Sequence, residues 1–276
     1  MCNRNQKGLR AGIINADDSS SKLFESDIAR PLTYGLKNGN IRANTIKLTP
    51  SGSSYVVNLQ GASLQNSLQE EQLRIKCNLP GSFNVYNSLA AAGVGLAVGL
   101  KPEQIERGIA ALEGVEGRMT NIDEGQDFSV VVDFAHTPDS FEKLFKDLRP
   151  VVSGKMIAMF GSAGRRDEAK RAVQGRLAGE YCDEVVLTEE DDRDVDGLEI
   201  MDQIAAGAKK SGKIRDKDLF LVHDRINAIQ FTLNRAKKGD TVLLLGKGHE
   251  KTIERADGEH PWDEIAAARQ ALKVLK

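Results

Sequence analysis

The sequence predicts an α/β protein with a β-rich first part and, after it, a mostly parallel sheet with helices on both faces. Three observations carry this expectation. From residue 128 onward, short apolar runs rich in β-branched residues alternate with longer stretches at helical spacing, the pattern of strand–helix–strand units. Three of those runs end in polar turns: Val130-Val131-Val132-Asp133 leads into Phe134-Ala135-His136-Thr137, Lys155 to Phe160 leads into Gly161-Ser162-Ala163-Gly164, and Thr241 to Leu245 leads into Gly246-Lys247-Gly248-His249-Glu250. In open α/β sheets ligands bind just beyond such strand ends, where glycine lets the backbone come close. Before residue 113 the texture differs, and the glycine-spaced stretch Glu113-Gly114-Val115-Glu116-Gly117 places a boundary between domains 1–115 and 116–276.

In chain order, Ala11-Gly12-Ile13-Ile14-Asn15-Ala16-Asp17-Asp18 reads as a buried strand with a polar end. A short helix and several β segments follow. Ile41 to Leu48 and Ser54 to Leu59 are rich in β-branched residues, with Pro50-Ser51-Gly52-Ser53 as their turn. Leu73-Arg74-Ile75-Lys76-Cys77 alternates apolar and polar, as a half-exposed strand does. Pro80-Gly81-Ser82 opens a helix over Phe83 to Val98 whose residues are nearly all small or apolar, so it should be buried. Lys101-Pro102-Glu103 begins a second helix, with proline at an early helical position, that ends near Leu112. The second domain then reads as strands at 128–135, 155–160, 184–188, 218–222 and 240–245, alternating with helices at 138–148, 167–181, 198–210, 224–237 and 262–275. Thr137-Pro138-Asp139 is a helix start, Asp224 an N-cap, and Lys237-Lys238-Gly239 a helix end with favourable charge.

Composition removes several function classes. The 38 basic and 40 acidic residues nearly cancel, so no global field favours nucleic acid or an acidic membrane surface as partner. The three cysteines, Cys2, Cys77 and Cys182, are scattered and lack metal-ligand spacing, which points to no metal site of their own and to a reducing, cytoplasmic setting. No apolar run approaches a membrane span, and the N-terminus has no signal-peptide apolar core.

Chemistry concentrates at the strand ends. Gly161 to Gly164 with Arg165, Arg166, Lys170 and Arg171 puts backbone N–H groups and cations near a helix start, a setting for phosphate or carboxylate. The loop is neither a Walker A loop nor a Rossmann fingerprint, so a turn with a solvated basic face stays open. His136 reads as a packed or capping residue or as a functional one. Asp133 could accept ribose hydroxyls or cap a helix. Lys247, His249 and Glu250 could hold a ligand ammonium or form a local ion pair. The run Glu189-Glu190-Asp191-Asp192-Arg193-Asp194 is a solvated acidic loop or a ligand-facing one.

Taken together the residues carry a resemblance. Asn15-Ala16-Asp17-Asp18, Gly81-Ser82-Phe83-Asn84-Val85-Tyr86-Asn87, Gly117-Arg118-Met119, Val132 to Asp139, the loop Gly161 to Arg171, Asp224-Arg225 and Gly246 to Glu250 occur in the order and spacing of the Mur ligase family. These are the ATP-dependent amide ligases of peptidoglycan precursor synthesis, and the chain is most similar to their UDP-N-acetylmuramoyl-tripeptide synthetase branch. The resemblance implies the distal part of a central ATPase domain over 1–115, then a Rossmann-like C-terminal domain over 116–276. It implies a ligase that uses ATP and Mg²⁺ to add a diamino acid, meso-diaminopimelate or L-lysine, to UDP-N-acetylmuramoyl-L-alanyl-D-glutamate in the cytoplasm. Such a reaction runs through an acyl phosphate and a tetrahedral intermediate, and depends mostly on positioning and electrostatics. By the same resemblance Arg118, Asp133 and His136 bind the nucleotide, Arg166 meets a carboxylate of the incoming amino acid, and Asp191, Arg193, Gly246 and Glu250 hold its far end.

Two departures qualify what the resemblance implies. Where relatives that use meso-diaminopimelate carry Asp-Asn-Pro-Arg, this chain has Glu190-Asp191-Asp192-Arg193. The kept arginine favours a distal carboxylate, and the added acid disfavours it, so the amino acid stays open. The family's Gly-x-x-Gly-Lys-Thr/Ser loop, which holds the ATP phosphates with Mg²⁺, has no match in this sequence. The expectation is therefore no turnover by this chain alone, with room for a separately encoded N-terminal part. A non-catalytic nucleotide or amino-acid binding module, or a folate polyglutamate or cyanophycin-type ligase, are the alternative readings.

Overall fold

A computed structural model describes residues 11–28, 31–49, 52–60 and 72–275. The chain divides into two compact units at Glu113/Gly114. The first contains β1 (Gly12–Asn15), α1 (Ser21–Glu25), β2 (Pro31–Gly35), β3 (Ile41–Thr49), β4 (Gly52–Leu59), β5 (Gln72–Cys77), α2 (Ser82–Ala97) and α3 (Pro102–Ala110). Its sheet runs β1-β2-β3-β4-β5, parallel across the first three strands and antiparallel across the last three. Alternation decides which face is buried: Ile41, Ala43, Tyr55, Val57, Leu73 and Ile75 form one core with Val85, Leu89 and Leu96 of α2 and Ile105 of α3. Helix α2, expected to be buried, buries one face only: Val85, Leu89, Ala92 and Leu96 pack inward while Asn87, Ala91 and Val94 are exposed. The expected turn between β3 and β4 lies partly outside the described residues.

Asp17, past the tip of β1, organises the polar edge of this unit. Its carboxylate accepts hydrogen bonds from the amides of Leu36 (2.7 Å), Lys37 (3.0 Å) and Asn38 (2.9 Å) and from the Tyr86 hydroxyl (3.0 Å). Burial alone would raise its pKa, but these donors together hold the carboxyl below its ordinary range.

The second unit contains β6 (Thr120–Asn121), β7 (Ser129–Asp133), α4 (Pro138–Leu148), β8 (Met156–Phe160), α5 (Ala169–Tyr181), β9 (Glu184–Leu187), α6 (Gly197–Lys210), β10 (Leu219–Leu221), α7 (Arg225–Arg235), β11 (Thr241–Leu245), β12 (Thr252–Arg255), β13 (Gly258–Pro261) and α8 (Glu264–Val274). The main sheet has the order β10-β9-β8-β11-β7-β6, parallel except for the short edge strand β6. Helices α4, α5 and α6 pack together on one face and α7 with α8 on the other. The alternating residues Val130, Val132, Ile157, Met159, Val242 and Leu244 bury against Ala228, Ile229, Leu233, Ala268 and Leu272. Helix starts follow the expected chemistry: Thr137, Asp196, Asp224 and Asp263 each accept a hydrogen bond from a backbone N–H in the first turn.

Strand β11 comes last in the parallel series yet sits between β8 and β7. That crossover sets the tips of β7, β11, β8 and β9 side by side at the carboxyl edge, the crevice where open sheets bind ligands. The β12–β13 hairpin departs from the sequence expectation, which left this stretch without structure. It is antiparallel, pairs Ile253 with His260 and Glu254 with Glu259, and lies directly after the Gly246 to Glu250 turn. Among the described residues no helix is long and apolar enough to cross a membrane.

Candidate functional site

Backbone contacts lock the strand-end loops into one rim. The Gly246 amide donates to the Asp133 carbonyl (3.1 Å), the Gly164 amide to the Asp191 carbonyl (2.8 Å), and the Glu189 amide to the His223 carbonyl (3.0 Å). Gly117 has φ +68°, and a Cβ there would overlap the backbone nitrogen of His249. Only glycine lets the loop bearing Arg118 meet the Gly246 to Glu250 turn this closely.

One side of the rim is aromatic and cationic. The Phe134 ring lies 4.7 Å from the His136 ring and 4.9 Å from the His249 ring, and the exposed Arg118 guanidinium stands 4.9 Å over it. Flat faces and a cation in one cluster suit a planar, electron-rich ligand. Asp133 lies beneath. It is buried, and its two carboxylate oxygens accept from the amides of Met119 (2.8 Å) and Ala135 (2.8 Å). Burial raises its pKa against the pull of those amides and of Arg118. Asp133 thus braces the loop that carries Arg118. His136 turns Nδ1 to the Phe134 carbonyl (2.9 Å), and its own carbonyl accepts from Lys170 (3.1 Å) and Gln174 (3.0 Å), tying α5 to the β7 tip.

The other side is built of carboxylates around a buried lysine. The Lys247 side chain is 1% exposed and places Nζ 2.9 Å from Asp191 Oδ1 and 2.7 Å from Glu250 Oε2. The sequence left a ligand ammonium and a local ion pair open here; the structure shows the Lys247–Glu250 pair, buried because Asp191 supplies a second carboxylate. Gly246 has φ +103°, and a Cβ there would lie 2.6 Å from Glu190 Oε2, so the Glu190 carboxyl rests against bare backbone. Burial pushes the Glu190 carboxyl above its ordinary range, against the fields of Arg225, Lys170 and Lys247. Arg193, with φ +56°, sends Nε to Glu254 Oε2 (2.7 Å) and Nη1 to the Gly164 carbonyl (2.6 Å).

Behind the rim stands a second layer of buried ion pairs. Arg255 grips Glu189 with two hydrogen bonds, 2.9 and 2.7 Å. Burial opposes the Glu189 charge, yet Arg255 and the Arg225 amide hold that carboxyl below its ordinary range. Arg225 is fully buried and bonds Glu264 (2.9 and 2.7 Å), the Glu189 carbonyl (2.9 Å) and the Leu245 carbonyl (2.8 Å). Glu264 also accepts from Trp262 Nε1 (2.7 Å). Arg225 therefore fixes the last carbonyls before Glu190 and Gly246. Glu189, Asp192 and His223 lie close enough to share a cation. Both Glu189 oxygens are already held by Arg255, and Asp192 hydrogen-bonds His223 at 2.9 Å, so the group is already engaged within the chain.

Of the residues singled out from the sequence, the structure brings Arg118, Asp133 and His136 together on one side and Asp191, Arg193, Gly246 and Glu250 on the other. Arg166 is exposed on the loop before α5 and joins no ion pair among the described residues. Sequence reading gave no role to Phe134, Arg225, Glu254 or Arg255, and did not name Asp191 as the partner of Lys247. Phe134 could have been flagged as an aromatic among polar strand-end residues. The buried pairs join residues far apart in sequence and leave no local signal.

Comparison with known proteins bears on the same residues. The family model described as "Mur ligase, glutamate ligase domain" matches residues 117–248, and that of the "Mur ligase middle domain" matches 3–95. A UDP-N-acetylmuramyl-tripeptide synthetase from Roseiflexus sp. (strain RS-1) is 42% identical over 276 residues, covering 98% of this chain and 52% of the relative. A UDP-N-acetylmuramoyl-L-alanyl-D-glutamate–2,6-diaminopimelate ligase from Bacillus licheniformis is 35% identical over 275 residues, covering 99% of this chain and 53% of the relative. A solved structure of a ligase of that second name superposes with a TM-score of 0.60 at 28% identity, covering 96% of this chain and 53% of the other. The chain spans about half the length of the curated relatives it matches.

Proposed function

The chain belongs to the Mur ligase family, and on that premise we propose that its second unit holds the nucleotide and the incoming amino acid of an ATP-dependent amide ligase. The reaction is the addition of a diamino acid to UDP-N-acetylmuramoyl-L-alanyl-D-glutamate. The observation that carries this reading is the convergence of four parallel strand tips on one rim, with an aromatic and cationic cluster on one side and a carboxylate–lysine cluster on the other.

The Phe134, His136, His249 and Arg118 cluster fits the base and ribose end of ATP, with Asp133 holding the Arg118 loop in place. Arg166, free of ion pairs among the described residues, is available to the α-carboxylate of the amino acid. Asp191, Glu250, Gly246 and Arg193 border the position of its distal end. When bound, ATP with Mg²⁺ supplies the phosphoryl group that activates the acceptor carboxylate. Nothing among the described residues is assigned to that metal or to the triphosphate, so this chain is expected to bind without turning over unless a second part completes the enzyme. The rim's contribution is positioning: it would present the amine at attack distance and keep competing water away.

Titrating the chain with a fluorescent ADP analogue tests the nucleotide side. Arg118 is exposed, so Arg118→Ala should leave folding intact and weaken nucleotide binding about tenfold through the lost cation–π and charge contacts. Unchanged affinity in that variant would remove the nucleotide assignment. Nucleotide binding with no affinity for any amino acid would favour the plain binding-module reading.

A further inference from the structure

Glu254 stands at the far end of the amino-acid site and belongs to no motif seen in the sequence. Its position is fixed three times over. Its amide donates to Asp191 Oδ1 (2.8 Å), its carbonyl accepts from the Arg193 amide (3.1 Å), and its carboxylate accepts from Arg193 Nε (2.7 Å). The first two bonds are backbone links made by β12, whose pairing with β13 sets Glu254 opposite Glu259. These links bring the Glu254 side chain within reach of Arg193, whose Nε it accepts. Arg193 is held equally firmly, by its left-handed backbone and by the Gly164 carbonyl.

We propose that Glu254 is a specificity-determining residue. By giving Arg193 a carboxylate from within the chain, it makes the far end of the site select a diamino acid that ends in an ammonium group, of the lysine class, over one that carries a second carboxylate there. The inference rests on the amino-acid site proposed above. A distal carboxylate approaching Arg193 would have to share the guanidinium with Glu254 and sit beside Asp191, one like charge on either hand. An ammonium group meets the opposite balance, because the carboxylates of Asp191, Glu250 and Glu254 outnumber the cations Lys247 and Arg193. Discrimination of this kind works by a repulsive element as much as by an attractive one. The similar proteins whose names specify 2,6-diaminopimelate thus do not by themselves assign the amino acid taken by this chain.

The test is calorimetric or NMR titration of the full chain with L-lysine, meso-diaminopimelate and L-glutamate, before and after Glu254→Gln. The substitution keeps the backbone links and the side-chain size while removing the charge. Wild type should bind lysine about tenfold more tightly than meso-diaminopimelate, and Glu254→Gln should bring the two within about threefold, mainly by improving meso-diaminopimelate. Affinity for an ADP analogue should not move, which separates a local charge effect from loss of folding. A wild-type preference for meso-diaminopimelate, or a ratio unchanged in Glu254→Gln, overturns the proposal and leaves the site assignment standing. Failure of the wild type to bind any of the three overturns the site assignment, and the proposal with it.

Discussion

Replacing Arg225 with methionine should be among the most damaging single changes in the second unit. The guanidinium is completely buried and makes four side-chain hydrogen bonds, two to Glu264 and one each to the carbonyls of Glu189 and Leu245. Burial costs the cation dearly, but the Glu264 carboxylate offsets that cost and holds the Arg225 pKa above its ordinary value. Methionine fills much of the volume yet leaves Glu264 buried with only the Trp262 Nε1 donor, and leaves two carbonyls unpaired. Breaking a buried pair on one side costs about 3–5 kcal/mol, against a typical domain stability of about 5–15 kcal/mol. Urea unfolding followed by fluorescence reads this directly, because the chain's single tryptophan is Trp262 itself. The double variant Arg225→Met/Glu264→Leu removes both charges and should recover most of the loss. A single-variant loss below about 1 kcal/mol, or a double variant no better than the single one, would show that the pair is not the strut described here.

Two further outcomes follow from named contacts. Gly246→Ala combines a φ of +103° with a methyl group 2.6 Å from Glu190 Oε2, so it should cost about 1–3 kcal/mol and abolish amino-acid binding before nucleotide binding; wild-type amino-acid affinity in a folded variant would contradict the packing. In the first unit, the Asp17 carboxyl is held below its ordinary range once its donors outweigh burial. Its contribution is therefore present above the unfolded-state pKa and disappears as pH falls through the folded-state value. Asp17→Asn should speed amide exchange at Leu36 and Lys37 at neutral pH, and that difference should shrink below about pH 4; a pH-independent difference would mean that the charge of Asp17 does not hold this turn.

Most of the sheet was legible because its strands are apolar on both faces and its helix starts carry caps. Val130 to Val132, Met156 to Phe160 and Leu243 to Leu245 can only be interior strands, and Asp224 and Thr137 mark where helices begin. The β12–β13 hairpin was missed because Ile253 is its only fully buried apolar residue. The turn pair Asp257-Gly258 was the available signal. The site was legible only as a set of positions. That the strand ends share one rim follows from the β11 crossover, but which acid meets which base does not. Lys247 finds Asp191, Arg193 finds Glu254, and Arg255 finds Glu189 across more than fifty intervening residues. A glycine turn bearing Lys, His and Glu leaves a ligand site and a local ion pair equally open until its partners are known.

These pairings explain why so many charges can be buried at a strand edge. Three of the four acids of the Glu189 to Asp192 run are met by a group from another element: Glu189 by Arg255, Asp191 by Lys247, and Asp192 by His223. Glu190 lacks such a contact, and burial favours its protonated form. A site left with unmet buried charge would relax or fill with water, whereas a compensated one keeps its geometry. The cost is a shallow potential, because paired groups pull weakly on whatever arrives. Recognition then depends on small imbalances, such as three carboxylates facing two cations at the far end of the rim. For that reason neutralising one side chain, Glu254, should shift selectivity without disturbing the frame that positions it.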